Sequence, residues 1–274
     1  MAGARLPQIM VAPTGARRGP ADHPALPITI PQIVAEARAC FAAGAGAIHA
    51  HVRDEDGLHT LDVGLYRELL AELDNAVPEM VVQITTEAVG QYTPADQRAL
   101  VRDLLPAHVS IAMREITAGE DEAVSRAFYH WAHDAGINVQ HILYTPNEVQ
   151  RMRDLVARGV VPAEDLEVIF VLGKYSGARD SDPADLTAYL AEKTGALEQA
   201  GFGVCAFGRR ETACLVEAIR AGGNARIGFE NNLWNEDGEL AASNAARVVE
   251  LTRRLSEQLA ENETSDEGRQ RERK

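Results

Sequence analysis

Two histidines stand one residue apart in an otherwise apolar segment, AGAIHAHVRD at residues 45–54. Side chains alternate along a β-strand, so His49 and His51 are expected to point to the same side. Two neutral imidazoles in this arrangement can bind one divalent metal ion such as Zn²⁺. The alternative is that both histidines form hydrogen bonds inside the protein, and the H-x-H pattern alone does not decide between the two.

A third candidate ligand is Glu230, near the end of the segment ARIGFENN at 225–232. A carboxylate at the end of an apolar strand is costly unless it is paired or coordinated. Two histidines and one carboxylate, with an open position for substrate, are typical of a catalytic rather than a structural zinc site. The same donors also suit Mn²⁺, Co²⁺ and Fe²⁺. Of the other histidines, His59, His130 and His133 are expected in loops or on helix surfaces, and His141 is expected to be packed within a strand.

Short apolar runs alternate with longer amphipathic segments along the chain. The apolar runs predict strands at 7–14, 45–53, 79–86, 108–113, 137–144, 166–173, 202–208 and 225–230. The amphipathic segments predict helices at 30–44, 65–76, 95–105, 120–136, 146–159, 183–201, 211–223 and about 238–260. Thr29 is the expected N-cap of the first helix, because Pro31 falls in its first turn.

Eight β–α units in this rhythm predict an α/β protein with a (β/α)8 TIM barrel fold. The strands are continuous apolar runs, as expected for parallel strands that are buried on both faces. In a closed barrel, strand one lies between strands two and eight, so the two histidines and Glu230 would converge at the carboxyl ends of the strands. A doubly wound open sheet is the second choice, but PTGARRG after strand one does not match the dinucleotide-binding G-x-G-x-x-G.

The amino-acid composition limits the kinds of partner, the cellular location and the domain organisation that the protein can have. The 274 residues are 46% hydrophobic and carry a formal net charge of −14, which argues against nucleic acid or an anionic membrane as partner. No uninterrupted apolar run approaches about 18 residues, so no membrane span is predicted. The three cysteines form no C-x-x-C pair, which is typical of a cytoplasmic protein. We expect one barrel domain over 1–260 and a charged, disordered tail over 261–274.

Several segments resemble the β-keto acid cleavage enzyme family, which includes 3-keto-5-aminohexanoate cleavage enzyme. The most specific are LPITIPQIVAEARACFAAGAGAIHAHVRDEDG (26–57) and GNARIGFENNL (223–233), with weaker support from APTGA (12–16), VVQITTEA (81–88), IFVLG (169–173) and SNAARVVE (243–250). The resemblance covers residues 8 to 255 or so. It implies a zinc-containing barrel that condenses a β-keto acid with acetyl-CoA, giving acetoacetate and a new acyl-CoA, and a homotetramer or homodimer.

The resemblance also implies roles for single residues. It places the metal ligands at His49, His51 and Glu230, and a catalytic or carboxylate-binding group at Arg226. Thr85 stands at a family serine position and Ser110 at a family threonine position. Hydroxyl groups at these two places would donate hydrogen bonds to developing oxyanions.

The chain departs from the family pattern at the strand ends. The family usually reads G-x-E-D-N at strand eight, with the Asp as general base, whereas this chain has GFENN and therefore Asn231. An amide cannot accept the proton, although it can orient substrate or water. Glu87 is our first candidate for a relocated base. A solvated loop acid, or a ligand for a cationic substrate group, is the alternative interpretation of Glu87.

Positive charge is expected near the mouth of the site, from Arg17, Arg114, Arg209 and Arg210. Arg17 and Arg209 are candidates for binding CoA phosphates, and the cluster suits a small anionic keto acid. Two other functions remain open at this point. One is a CoA-independent metal-dependent lyase, aldolase or hydrolase acting on a small keto acid or lactone, and the other is a non-catalytic metal-binding or ligand-binding barrel.

Overall fold

Eight parallel strands close into a barrel in this computed structural model, which describes residues 6–174 and 180–272. The barrel strands are β1 (Ile9–Val11), β2 (Ala47–Ala50), β5 (Val81–Thr85), β6 (His108–Ala112), β7 (Asn138–Leu143), β8 (Glu167–Leu172), β9 (Gly201–Ala206) and β10 (Asn224–Ile227). Two short strands, β3 (Val52–Arg53) and β4 (His59–Thr60), form a separate antiparallel hairpin. The predicted TIM barrel is confirmed, and the closed sheet excludes the open doubly wound alternative.

The order of strands around the barrel brings distant parts of the sequence together. Strand β1 pairs with β2 on one side and with β10 on the other, with Met10 next to Ala47 and to Arg226. The strand that carries the histidine pair and the strand that precedes Glu230 are therefore both neighbours of β1. This is the arrangement that the sequence predicted for convergence of the three candidate ligands.

Helices surround the barrel. They are α1 (Ile30–Ala42), α2 (Val63–Ala76), α3 (Pro94–Leu104), α4 (Met113–Ile116), α5 (Glu122–Asp134), α6 (Pro146–Ala157), α7 (Leu186–Glu192), α8 (Glu211–Arg220) and α9 (Asn244–Glu272). Thr29 caps α1 as predicted: its hydroxyl faces the backbone N–H of Gln32, whose side chain accepts from Thr29 N–H. The four-residue helix α4 was not predicted.

Two predicted helices have different bounds in the structure. The segment 183–201 contains only the short helix α7, with 3₁₀ turns on either side, because Gly195 adopts a φ of +56° that a helix does not allow. Helix α9 begins at Asn244 rather than near 238, because Trp234 and Leu240 form a bridge around a tight turn at Gly238. The helix continues to Glu272 and so includes most of the predicted charged tail. The division into a barrel domain and a tail stays a prediction.

The main hydrophobic core lies between the barrel and its helices. It includes Val11, Ile48 and Ile84 from strands, and Tyr66 and Phe128 from helices, all fully buried. A smaller apolar cluster of Ala112, Ile142, Ile169, Val171, Cys205 and Phe207 comes from the strands β6 to β9 and the turn after β9. Among the described residues, no helix is long and apolar enough to cross a membrane.

A buried histidine in the core predicts acid sensitivity. His141 in β7 packs against Tyr129 of α5, with ring centroids 5.0 Å apart, and burial lowers the pKa of His141 from 6.5 to about 3. Below pH 6.5 the unfolded chain therefore binds a proton that the folded chain does not, so stability falls as the pH falls. At pH 5 this histidine alone costs about 2 kcal/mol of unfolding free energy.

We expect His141→Gln to reduce the loss of unfolding free energy between pH 7.5 and pH 5.0 by about 2 kcal/mol relative to the wild type. Urea denaturation at the two pH values measures this difference. The control is His130→Gln, because His130 is exposed on α5. An unchanged pH dependence in His141→Gln would contradict the assignment of His141 as a buried neutral imidazole.

Candidate metal centre and active site

His49 and His51 share one side of the chain as predicted. His49 lies in β2 and His51 follows the last residue of that strand, and both are 1% exposed. Their Nε2 atoms are 3.1 Å apart. The side-chain alternation of a strand therefore continues through His51, although the ladder with the neighbouring strands stops at Ala50.

Glu230 reaches the histidines from the loop after β10. The strand ends at Ile227, three residues before Glu230, so the prediction of a strand through residue 230 is wrong. The loop is held against β1, because Glu230 N–H donates to the carbonyl oxygen of Ala12 at 3.1 Å. Gly15 leaves room for the carboxylate: a Cβ at this position, where φ is +67°, would lie 2.6 Å from Glu230 Cγ.

The three candidate ligands form a compact donor set. Glu230 Oε2 lies 3.6 Å from His49 Nε2 and 3.5 Å from His51 Nε2, and one ligand atom from each residue falls within 4.8 Å of the others. Glu230 is 6% exposed, and its Oε2 has no hydrogen-bond partner among the described residues. An orphaned carboxylate oxygen facing two imidazole nitrogens fits a divalent cation.

The protonation of His49 is set by a chain of amides inside the barrel. Gln83 in β5 donates from Nε2 to Gln140 Oε1 at 3.1 Å, which leaves Gln83 Oε1 to accept from His49 Nδ1 at 2.8 Å. Burial lowers the pKa of His49 to about 3, and the nearby Arg226 charge adds to this effect. His49 is therefore neutral, with its Nδ1 protonated and its Nε2 lone pair directed toward the other ligands.

Glu230 is the anionic member of the set. Burial alone would raise the pKa of Glu230, but Arg226 and the two histidines outweigh burial and hold it well below its usual range. Arg226 Nη2 donates to Glu230 Oε1 at 2.9 Å and also lies 3.3 Å from Cys205 Sγ. One carboxylate and two imidazole groups match the ligand chemistry of zinc and related divalent ions.

The hydrogen bond from His49 to Gln83 leads to a prediction. We expect Gln83→Leu to weaken metal binding by about 10–100-fold, because an unsupported imidazole loses both its orientation and its preferred tautomer. Competition with a chromogenic chelator measures the affinity. The matched control is Gln140→Leu, which leaves Gln83 facing His49 and should have the smaller effect. Equal affinities in Gln83→Leu and wild type would contradict this role for Gln83.

A cavity of about 280 Å³ opens beside the candidate ligands. The residues that the sequence singled out and that line the cavity are His49, Thr85, Glu87, Arg17, Arg114, Arg226 and Glu230. Lys174 lines it as well. Tyr144 and Phe207 contribute aromatic surface. The cavity therefore combines two of the candidate metal ligands, a buried arginine and several ionisable groups in one space.

Glu87 lies in the turn after β5 and faces this cavity. Its side chain is 16% exposed, and its Oε1 is 3.6 Å from Arg17 Nη2. Burial raises the pKa of Glu87, although the charge of Arg17 opposes this. A carboxylate with a raised pKa is better matched to proton abstraction near neutral pH than an ordinary surface acid. The alternative of a fully solvated loop acid does not fit this degree of burial.

A protein-family model of the β-keto acid cleavage enzymes matches residues 8–271. The chain belongs to this family. A 3-keto-5-aminohexanoate cleavage enzyme from Fusobacterium nucleatum subsp. nucleatum is 27% identical over 96% of each chain. A 3,5-dioxohexanoate:acetyl-CoA acetone transferase from Paraburkholderia graminis is also 27% identical, over 92% of this chain and 90% of the relative. A 3-oxoadipate:acetyl-CoA acetyltransferase from Cupriavidus necator is 25% identical, over 89% and 86%.

Solved structures confirm the fold. A ternary complex of ObcA with a C4-CoA adduct and oxalate superimposes with a TM-score of 0.68 at 15% identity and covers 86% of this chain. This chain spans 64% of the ObcA chain. A type I 3-dehydroquinate dehydratase from Clostridium difficile superimposes with a TM-score of 0.58 at 12% identity, over 92% of this chain and 94% of that one. At these identities the likeness concerns the barrel alone.

Two hydroxyl groups predicted from the family resemblance lie side by side. Thr85 of β5 pairs in register with Ser110 of β6. Thr85 lines the cavity, and its Oγ1 accepts from Glu87 N–H at 3.1 Å. Ser110 is fully buried, and its Oγ has no hydrogen-bond partner among the described residues. Ser110 is not among the residues that line the cavity in the described part of the chain.

Asn231 follows Glu230 but is turned away from open space. It is 1% exposed, and neither its Oδ1 nor its Nδ2 has a hydrogen-bond partner in the described part of the chain. Its backbone oxygen accepts from Arg18 Nη2 at 3.3 Å. Asn231 is not among the described residues that line the cavity. This chain therefore has a buried amide at the position where the family resemblance implies a general base.

The predicted cationic residues are divided between the cavity and the surrounding surface. Arg17 and Arg114 line the cavity, each about half exposed, and Arg114 stacks 3.5 Å above the ring of Tyr144. Arg209 lies instead over the ring of Trp234, at 5.4 Å, and Arg210 pairs with Asp182. The roles of Arg17 and Arg209 in binding CoA stay predictions.

The histidine that the sequence misplaced is His59. We expected a loop or surface position, and this was wrong: His59 is 5% exposed and lies in β4, with its ring centroid 5.0 Å from that of His51. The hairpin formed by β3 and β4 turns His59 inward, where its Nε2 bonds the carbonyl oxygen of Glu87 at 2.9 Å. By contrast, His141 is packed in the core as predicted, and His130 and His133 are exposed on α5.

Gln83 was missed entirely. The sequence signal was present, because Gln83 and Thr85 are two residues apart in VVQITT and share the inward face of the strand. A polar amide at an inward position of a buried strand needs a partner, and here the partners are His49 and Gln140.

Proposed function

We propose that this family member condenses a β-keto acid with acetyl-CoA, giving acetoacetate and a new acyl-CoA, with zinc bound by His49, His51 and Glu230. The observation that carries the proposal is the position of this donor set and Arg226 on one cavity. When bound, the zinc ion supplies Lewis-acid polarisation of the substrate oxygens. The protein residues supply orientation, charge and proton transfer.

Arg226 is the proposed anchor for the substrate carboxylate. Its guanidinium is 5% exposed, and it is held in place by Glu230 at 2.9 Å. A guanidinium in a site with little water binds a carboxylate strongly and with a fixed geometry. This orients the carbon between the carboxylate and the keto group toward the interior of the cavity.

Glu87 is the proposed general base. It would accept a proton from that carbon, and the carbanion would attack the thioester carbon of acetyl-CoA, releasing CoA thiolate. The thiolate would then attack the original keto carbon of the substrate. The bond between this keto carbon and the carbon that lost the proton would break. The products are an acyl-CoA and the acetoacetate carbanion, which recovers the proton from Glu87. Thr85, which lines the cavity, is the proposed donor to an oxygen that gains negative charge. The same role for Ser110 stays a prediction, because Ser110 is buried behind the described lining of the cavity.

The substrate is proposed to be a small β-keto acid. Its distal group, at the end of the molecule away from the carboxylate, is proposed to be neutral or anionic. The described lining of the cavity has four cationic side chains, from Arg17, Arg114, Lys174 and Arg226, and three carboxylates, from Glu87, Glu115 and Glu230. This small excess of positive charge favours a neutral or anionic group over a cationic one. Arg17 and Arg209 are also proposed to contact the phosphates of acetyl-CoA. The relatives named for 3,5-dioxohexanoate and 3-oxoadipate act on substrates of these two classes, whereas the relative named for 3-keto-5-aminohexanoate acts on a substrate with an amino group.

The test is a panel of β-keto acids with cationic, neutral and anionic distal groups, each incubated with zinc-loaded protein and acetyl-CoA. Mass spectrometry should find acetoacetate and the matching new thioester, with the cationic member the slowest. Cleavage without consumption of acetyl-CoA would instead favour a CoA-independent lyase, aldolase or hydrolase, for which Asn231 is the supporting feature. Tight binding without any product would favour a non-catalytic barrel.

Three properties remain as predictions beside the reaction. Zinc is proposed over Mn²⁺, Co²⁺ and Fe²⁺ because histidine nitrogen and one carboxylate suit it well. A homotetramer or homodimer is expected from the family resemblance. A cytoplasmic location agrees with three free, buried cysteines, Cys40, Cys205 and Cys214.

A further inference from the structure

A fully buried ion pair lies behind the loop that carries Glu230. Glu211 at the start of α8 and Arg247 in the first turn of α9 are both 0% exposed, and Arg247 Nη2 is 3.0 Å from Glu211 Oε2. Neither residue lines the cavity described above. A buried pair of this kind adds little to stability compared with apolar side chains of the same size, so it calls for another explanation.

Glu211 binds both ends of the loop formed by residues 228–232. Its Oε1 accepts from Gly228 N–H at 3.2 Å, and its Oε2 accepts from Asn232 Nδ2 at 3.4 Å. Glu230 is the residue midway between these two contacts. The Glu211 carboxylate therefore fixes the distance between Gly228 and Asn232, the two ends of the loop that carries Glu230.

Arg247 holds Glu211 in that orientation. Besides Glu211, the guanidinium donates to Thr212 Oγ1 at 2.8 Å and to Glu250 Oε1 at 2.6 Å. These contacts also hold α9 against α8, because Arg247 belongs to α9 and both Glu211 and Thr212 belong to α8. Rotation of the Glu211 carboxylate would break the contact with Arg247 as well as those with the loop.

The rest of the loop has little freedom to adjust. Phe229 N–H donates to Asn244 Oδ1 at 2.7 Å, and Glu230 N–H donates to Ala12 O at 3.1 Å. Gly228 has a φ of +143°, and a Cβ there would lie 2.5 Å from Ala12 O. The loop is thus held between β1 on one side and the pair of Glu211 and Arg247 on the other.

We propose that Glu211 and Arg247 are positioning residues that hold the carboxylate of Glu230 at metal-binding distance from His49 and His51. The inference rests on the metal site of the proposed function. It adds that metal affinity depends on two residues that do not touch the metal. Such outer contacts typically change metal affinity by about 10–100-fold.

The test measures two properties of the wild type and of variants of Glu211 and Arg247. The first is zinc affinity by chelator competition, and the second is the visible absorption spectrum of the Co²⁺-loaded protein. In Glu211→Leu/Arg247→Met both partners of the fully buried pair are replaced by apolar groups. Glu250, which also pairs with Arg247, keeps its hydrogen bonds from Thr212 Oγ1 and Glu236 N–H. We expect about 10–100-fold weaker zinc binding and an altered Co²⁺ spectrum. Glu211→Gln/Arg247→Met keeps an acceptor for Gly228 N–H, and should recover part of the affinity.

The control is the corresponding change in an ion pair remote from the loop, Arg98→Met/Glu120→Leu, where Arg98 Nη2 lies 2.7 Å from Glu120 Oε1. It should alter thermal stability but leave zinc affinity and the Co²⁺ spectrum unchanged. Wild-type zinc affinity in either folded variant of Glu211 would overturn the inference. A loss of zinc affinity in the control variant as large as that in the Glu211 variants would also overturn it. Failure of the wild type itself to bind zinc would instead refute the proposed metal site.

Discussion

His49→Ala is expected to abolish metal binding and turnover together. The substitution removes one of three donor atoms that lie within 4.8 Å of each other, and it leaves Gln83 without the imidazole that it orients. Loss of the Lewis acid should remove several kcal/mol of transition-state stabilisation, which corresponds to a fall of about 10³-fold or more in kcat/KM. Metal content by atomic emission and turnover by thioester formation should be measured on the same sample.

The matched control for this variant is His130→Ala. His130 is exposed on α5, so its removal should change neither metal content nor turnover. A His49→Ala protein that keeps full activity would show that the metal ligands are misassigned. A protein that keeps its metal but loses its activity would assign His49 to catalysis and not to metal binding.

Glu87→Gln is expected to lower kcat by about 10²–10⁴-fold while zinc remains bound, because a general base typically contributes this much. The glutamine keeps the size of the side chain but cannot accept the proton. In the wild type, kcat should fall as the pH falls through the pKa of Glu87, which burial raises above its ordinary value. This acidic limb should disappear from the small activity that remains in Glu87→Gln. Steady-state kinetics across pH 5 to 9 or so test both expectations.

The companion variant is Glu87→Gln/Asn231→Asp, which places a carboxylate at the usual family position. Recovery of activity would show that the base can be moved between the two positions. If Glu87→Gln alone retains wild-type kcat and the same pH profile, Glu87 is not the base. Glu87 would then be a residue of the cavity wall that pairs with Arg17.

The barrel was predictable because its signal is local and repeated. Strands such as β8, with all six residues buried, are continuous apolar runs, and each is followed by an amphipathic helix. The H-x-H pair was predictable for the same reason, because strand periodicity alone places His49 and His51 on one side. Glu230 was assigned correctly to the neighbourhood of the histidines, since the barrel order follows from counting strands.

Other features depend on contacts that no local pattern specifies. The bond from Gln83 to Gln140 joins residues 57 positions apart, and the pair of Glu211 and Arg247 joins residues 36 apart. Both need the relative rotation of elements, which side-chain periodicity does not give. His59 was misplaced because a hairpin of two-residue strands has too few residues to show alternation, and its turn depends on Asp54 and Gly57.

Asn231 shows how far a family resemblance extends into a divergent member. The three candidate metal ligands and Arg226 converge as expected, but the residue after Glu230 is a buried amide without a hydrogen-bond partner in the described residues. Under the proposed reaction another group must abstract the proton, and Glu87 is the proposed base because it combines a carboxylate, burial and a position on the cavity.

The proposed reaction is tested most directly by tracing the acetyl group of acetyl-CoA into the products. Zinc-loaded protein should be incubated with acetyl-CoA labelled with ¹³C in both acetyl carbons and with an unlabelled β-keto acid that the panel identifies as substrate. Both labelled carbons should appear together in the acetyl half of acetoacetate, while the new acyl-CoA should be unlabelled. Label in free acetate, or acetoacetate without label, would contradict condensation with acetyl-CoA as the reaction of this protein.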